Sequence, residues 1–374
     1  MRISSVSLHQ IRIPFRQAFA HALHARKLTD AVIVGTASGN GTIGYGEILP
    51  RHYLTGETLD RALSEDAPKF ARRWLGKTFE TKEEVFAALA DDLQLAGRSL
   101  ATFAGFELAL LDLTGKLFDF EAGDVLRRPA GPGLPPGVVI DFSISTEDLT
   151  KHCRTLRIAG ERHVKVKVGL PDDLQRLEII SQVLQNNGRL RVDANGAWTA
   201  IDAVRALLTM RKFNIESVEQ PVPASDLIGM RRVRELTGLP VVADESLCSL
   251  EDGHRLLDAQ AADVFNIRLG KCGGFLGSLR LIELAQTSGL GCQLGTLVGE
   301  TGILSQAAEV FGSRMKCFEY LEGKGQNRSL LVQDIVEPPA SSVDGTPPCA
   351  GLNINVAADR LRQWGVCSPM VFCA

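Results

Sequence analysis

The sequence predicts an α/β protein: a (β/α)8-type barrel with an N-terminal α+β capping domain that the C-terminal tail completes. Three observations lead there. From residue 138 onward, eight short apolar runs (VVIDFSI, HVKVKV, LRVDA, IESVEQ, PVVADE, DVFNIR, LGCQLG and KCFEYL) alternate with helix-length gaps. Lys165, Asp193, Glu219, Asp244 and Arg268 follow one another at steps of 28, 26, 25 and 24 residues, each at the C-terminal end of its own run. Barrels of this kind carry their active sites at that end, and scattered surface charges have no reason to keep the period. Before the barrel, strand-like alternation gives way to helical spacing, the order of an α+β unit.

At 374 residues the chain exceeds the size at which a single core usually stops growing, so a barrel with a second unit is the natural division. The 41 basic and 44 acidic residues are spread along the chain without a basic stripe, which argues against nucleic acid as a partner. The N-terminus MRISSVSLHQIRIPF alternates and lacks the apolar core of a signal peptide, and no run approaches a membrane span. Eight cysteines (Cys153, Cys248, Cys272, Cys292, Cys317, Cys349, Cys367 and Cys373) show no CxxC pair, which fits reduced thiols and a cytoplasmic location.

Taken in order, VSLHQIRIPF, DAVIVGTAS and YGEIL read as antiparallel strands, the last two joined by a turn at SGNGTIG whose Asn-Gly signals a hairpin. TLDRALSEDAPKFARRWL, TKEEVFAALADDL and SLATFAGFELALLDLTGKLF each carry apolar residues on one helical face. The Pro- and Gly-rich RRPAGPGLPPG marks a connection. The expected units are a cap over 1–130, a barrel over 131–339 and a returning segment over 340–374.

Asp193, Glu219 and Asp244 end three consecutive strands, so their carboxylates should converge at the barrel mouth. Three such groups do not all stay ionised without a cation, and an oxygen-only set suits Mg²⁺, with Mn²⁺ as a possible substitute. An acid at a strand end also often just caps the next helix; three in register make that reading insufficient. In HVKVKVG, Lys165 and Lys167 are two apart and share a face, opposite the valines. Their mutual repulsion is expected to lower the pKa of one and make it a general base. GKCGG lacks the order of a phosphate-binding loop and reads as a βα turn.

These motifs (KVK at 165–167, VDAN at 192–195, EQP at 219–221, DES at 244–246 and GG at 273–274) resemble the enolase superfamily, in particular its muconate-lactonizing (muconate cycloisomerase) subgroup. The resemblance implies Asp193, Glu219 and Asp244 as metal ligands, Lys167 as the base and Lys165 as the partner that tunes it and touches the substrate carboxylate. It also implies proton removal alpha to a carboxylate, with magnesium stabilising the enediolate. Asn195 then stands behind the first ligand. Glu319 resembles an acid at the end of the eighth strand in cycloisomerases. Phe19, His21, His24, Arg51, His52 and Tyr53 resemble two loops that close over substrate, and homo-oligomerisation is implied as well.

The sequence departs from the pattern at Arg268, where the subgroup usually has a second lysine; Lys271 falls in the following loop. Arginine is a poor base and a good fixed charge. A one-base cycloisomerase or lyase acting on a small carboxylate is therefore the first expectation. The alternatives are a dipeptide epimerase or N-acyl amino acid racemase, a dehydratase of the o-succinylbenzoate synthase kind, and, from a different class, a non-catalytic barrel that only binds. The intact set of three acids and two lysines speaks for an enzyme.

Overall fold

The computed structural model describes residues 1–20, 25–184, 189–337 and 350–374. Three long strands open the chain: β1 (Ile3–Ala20), β2 (Ala25–Ser38) and β3 (Ile43–Ile48). The hairpin between the last two turns at Gly41, whose φ of 87° needs a residue without a Cβ. A second layer of helices follows: α1 (Ala67–Trp74), α2 (Lys82–Ala96) and α3 (Leu100–Phe118). Thr81 begins α2 as an N-cap by accepting from the Glu84 amide. Helix α3 lies directly on β3, because Gly44 and Gly46 leave room for it. A Cβ on Gly46 would run into the Gly105 carbonyl.

The barrel strands are β4 (Pro136–Ile140), β5 (His163–Lys167), β6 (Arg189–Asp193), β7 (Val218–Glu219), β8 (Val241–Ala243), β9 (Val264–Ile267), β10 (Gly291–Leu294) and β11 (Leu321–Glu322). They close into a parallel eight-stranded barrel in sequence order. A small ribbon, β12 (Val336–Glu337) with β13 (Asn355–Val356), and the strand β14 (Met370–Cys373) follow. Strand β14 pairs antiparallel with β1, so the tail completes the N-terminal sheet as expected. Cys349 lies outside the described residues; the other seven cysteines are free thiols. No described helix is long and apolar enough to cross a membrane.

Two buried glutamates join cap to barrel. Glu107 of α3 accepts from the amides of Phe275 (2.5 Å) and Leu276 (3.0 Å), at the start of the helix Gly274–Thr287. A side chain at Gly274 would strike that carboxylate, which is what the GG of 273–274 avoids. Glu47 of β3 accepts from the amide (3.1 Å) and hydroxyl (2.7 Å) of Thr301, the N-cap of the helix Gly302–Ser313. Each acid satisfies amides that a helix start leaves unpaired.

Candidate active site

Strand register sets the site. Lys167 pairs with Asp193 across β5 and β6, and Asp193 with Glu219 across β6 and β7, so the three stand side by side at the barrel mouth. Asp244 and Arg268 each follow their strands directly. Valines 164 and 166 pack outward while Lys165 and Lys167 point in, the division that the alternation predicts.

Every acid in this ring faces a cation from the chain itself. Lys167 Nζ donates to Asp193 Oδ2 at 2.6 Å and to Asn195 Oδ1 at 2.7 Å. Lys165 Nζ lies 3.1 Å from Asp193 and 3.0 Å from Glu219, and also contacts Glu322. The Arg268 guanidinium sits 2.6 Å from Asp244 and 3.2 Å from Glu219, and Lys271 lies 2.9 Å from Asp244. Lys271 does arise from the turn after its strand, but its ammonium reaches back inward to the carbonyl and carboxylate of Asp244.

The expected repulsion between the lysines is offset by these partners. Burial works against the charge on Lys165, yet Glu219, Glu322 and Asp193 outweigh it and raise its pKa. Burial likewise opposes ionisation of Asp193, but Lys167 and Lys165 hold it below the usual carboxylate range. Glu219 is pushed up to about 7 by burial; Lys165 opposes the shift, and Asp193, Glu322 and Asp244 add to it.

The remaining motif residues fix the loops. The Gln220 side chain accepts from the amides of Asp244 (3.1 Å) and Ser246 (3.0 Å) and donates to the Val222 carbonyl and the Ser246 hydroxyl. The glutamine of EQP and the serine of DES thus tie two acid-bearing loops together. Asn195, at a positive φ of 46°, donates its amide to Asp193 and its Nδ2 to Glu245 while it accepts from Lys167.

Beside Lys165, Lys167 and Arg268 lies a cavity of about 220 Å³, also lined by Phe19 and Glu322. A larger cleft of about 610 Å³ opens between the loop at 54–57 and the turns after β8 and β9, but of the charged cluster it reaches only Glu245 and Lys271. The smaller cavity is where the chemistry converges.

Several expected residues lie elsewhere. Glu319 is exposed and pairs with Arg189, at the opening residue of β6 and so at the opposite end of the barrel. The acid of the eighth strand is Glu322, which binds Lys165 and Arg191. Its signal in the sequence is Gly323, whose φ of 76° ends the strand one residue later. Arg51 is buried, held by Thr29 and the carbonyls of Asp30, Pro50 and Val298, and does not line the cavity. Tyr53 is exposed and also away from it. His21 and His24 lie outside the described residues, and Phe19 is on the cavity wall as expected.

Whether the acids suit a metal ion follows from their donors. Among the described residues no group of three acid, His or Cys side chains is already gathered around one point; Lys165 and Arg268 stand between the carboxylates. The donor set is all oxygen, and the buried Asp244 Oδ2 is met by the Arg268 guanidinium at 2.6 Å without a well-aligned hydrogen bond. Such a set fits a hard divalent cation that takes over from the chain's own cations.

Barrel, cap and acid ring together define the class. The chain belongs to the family described as enolase C-terminal domain-like, which matches residues 148–360, over half of its length, and it is an enzyme of the enolase superfamily. Among curated relatives, the N-succinyl-L-Arg/Lys racemase of Bacillus cereus is 27% identical, across 99% of this chain and 100% of its own. The structure of a dipeptide epimerase from Enterococcus faecalis, complexed with Mg and the dipeptide L-Leu-L-Tyr, is 26% identical with a TM-score of 0.82, covering 95% of this chain and 99% of that one. A muconate lactonizing enzyme from Pseudomonas fluorescens shares the fold, with a TM-score of 0.84 at 24% identity over 97% of this chain and 99% of its own.

Proposed function

We propose that this enzyme removes the α-proton of a small carboxylate substrate of the dipeptide or N-acyl amino acid kind, with Lys167 as the base. The observation that carries the proposal is the setting of Lys167: it lines the cavity, and Asp193 and Asn195 fix its ammonium from behind. The substrate class draws on the relatives, which favour an epimerase or racemase over the muconate cycloisomerase that the motifs first suggest.

Lys167 must lose a proton before it can act. Asn195 Oδ1 accepts from an amine as well as from an ammonium, so it keeps the nitrogen aimed in both states. Lys165, kept charged by its three acids, contributes a fixed positive potential beneath the substrate carboxylate. Asp193, Glu219 and Asp244 are the residues that would hold Mg²⁺, as the epimerase complex with Mg suggests. When bound, such an ion supplies an electrophile that takes up negative charge developing on the carboxylate.

One observation favours a second reading, a one-base lyase or cycloisomerase. Epimerisation needs a group on the other face of the α-carbon that can return a proton. Arg268, on the cavity wall, is a guanidinium; burial opposes its charge, but Asp244, Glu219 and Glu322 raise its pKa further. Proton NMR in D₂O, with Mg²⁺ and a panel of dipeptides and N-acyl amino acids, tests both readings. Exchange of the α-proton that Lys167→Ala abolishes is expected. No exchange with any of these acids defeats the first reading, and rapid inversion with deuterium in both enantiomers defeats the second. Calorimetric titration with Mg²⁺ alone should show binding that Asp244→Asn weakens.

A further inference from the structure

The cavity has walls of opposite character. Among the described residues, the only Lys and Arg on its walls are Lys165, Lys167 and Arg268, all of them in the ring of ion pairs. On the side of β4 the wall carries hydrogen-bond acceptors, Asp141 and His152. The pairing of Val139 with Lys165 and of Ile140 with Val166 places Asp141, the residue just past β4, beside Lys167 at the end of β5.

Asp141 is buried, and its oxygens are only partly used. Oδ1 accepts from the amide (3.2 Å) and hydroxyl (2.6 Å) of Ser143, and Oδ2 from the Ala20 amide alone (3.1 Å). A carboxylate oxygen has room for a second donor. Among the described residues no Lys or Arg side chain reaches its carboxylate: the nearby Arg176 gives its guanidinium to the carbonyls of Asp141 and Ile144, both at 2.8 Å. His152, on the helix that follows β4, has a buried Nε2 with no hydrogen-bond partner. Burial lowers its pKa, although the nearby Asp141 opposes the shift, and the neutral ring that burial favours offers one nitrogen as an acceptor.

We propose that Asp141, assisted by His152, is the counter-ion for the free α-ammonium of a dipeptide, and so selects dipeptides over N-acyl amino acids with a second carboxylate. The proposal rests on the α-proton chemistry assigned above to Lys167. Distance supports it. Adjacent α-carbons of a peptide are about 3.8 Å apart, so the ammonium of a dipeptide sits about 5 Å from the α-carbon of its C-terminal residue. Neighbouring strands lie about 4.8 Å apart, so a substrate carbon over Lys167 brings that ammonium over Asp141. A succinyl group reaches farther and ends in a carboxylate, which at this wall meets Asp141 and no cation. The volume, about 220 Å³, suits a small dipeptide.

The test compares an L,L-dipeptide with its N-acetyl and N-succinyl forms on the Mg²⁺-supplemented enzyme, by calorimetric binding and by α-proton exchange in D₂O. The free dipeptide is expected to bind about ten- to a hundredfold more tightly than either blocked form, the range of one charge-assisted hydrogen bond. Asp141→Asn should shrink that ratio at least tenfold, and His152→Leu should shrink it less. Blocking the ammonium needs no variant, so the test survives if Asp141→Asn disturbs the contact with Ala20. Equal or tighter binding of the N-succinyl form, or no dipeptide binding at all, overturns the proposal. Binding that depends on Asp141 without any exchange upholds it and instead removes Lys167 from the role of base.

Discussion

Two groups of buried carboxylates hold this molecule together, and they are handled in opposite ways. At the barrel mouth Asp193, Glu219, Asp244 and Glu322 are interleaved with Lys165, Lys167, Arg191, Arg268 and Lys271. At the seam between cap and barrel, among the described residues Glu47 and Glu107 meet only backbone amides and a hydroxyl, with no cation in contact. The first arrangement keeps Asp193, Asp244 and Glu322 charged in a dry interior, although burial still raises Glu219, and the second lets burial suppress the charge of both acids. Paired groups of both signs, close to a cavity, can exchange partners with a substrate or an ion. Acids locked onto helix starts cannot, and they serve as fasteners.

The largest expected effect separates the two regions by rate. Lys167→Ala should lower α-proton exchange by about 10²–10⁴-fold, the usual contribution of a general base. Glu107→Ala should leave exchange per folded molecule within about twofold, because it touches no group at the mouth. A comparable rate loss in both variants, measured by NMR on samples matched for folded fraction, would erase the distinction.

Next in size is a stability effect inside the barrel. Glu322→Ala leaves Lys165 and Arg191 without one of their acids in a buried site, a change that costs about 3–5 kcal/mol. Glu319→Ala, an exposed position, should stay within about 0.5 kcal/mol. Urea unfolding of the two variants measures both, and equal losses would show that the network around Glu322 is not what holds this end of the barrel.

That contrast also shows what could be read from the sequence. The barrel and the ring of Lys165, Lys167, Asp193, Glu219 and Asp244 were legible because each strand places its terminal residue at the mouth, so the βα period itself carries the message. Glu322 was missed in favour of Glu319, since two acids three residues apart in KCFEYLEG cannot be ranked until the strand end is known. Arg191 looked like an ordinary strand residue; its role depends on Glu322, Gln293 and the ring of Tyr320, all at least a hundred positions away. Arg51 resembled a contact in a loop that closes over substrate, whereas its partners Thr29 and Val298 come from two other segments and hold it within the fold. Function at the level of the superfamily was encoded locally, while the partners that tune each charge are non-local. The balance between cycloisomerase and epimerase readings then shifted on relatives rather than on any residue.

The response to pH comes last, and there the seam glutamates and three of the mouth acids carry opposite signs. Burial raises Glu47 to about 7, above an ordinary value of 4.5, and Glu107 to about 8; hydrogen bonds from the helix amides oppose the rise without cancelling it. Groups raised in this way favour the folded state below their unfolded pKa, and that contribution is lost as pH climbs through the folded value. Asp193, Asp244 and Glu322 are shifted downward by their cations, so the stability they give is present at neutral pH and lost as pH falls. The protein should therefore lose stability on both sides. On the alkaline limb, each seam glutamate contributes about 1.4 kcal/mol per pH unit between about 4.5 and its own folded value. Replacing both with glutamine keeps an acceptor for the amides and removes the titration, so Glu47→Gln with Glu107→Gln should flatten the decline between pH 6 and 8 and leave the acid limb as it is. Thermal unfolding followed across that range decides it: a double variant whose alkaline slope matches the parent would mean that the seam carboxylates are already ionised in the folded protein, and that the helix amides alone hold them.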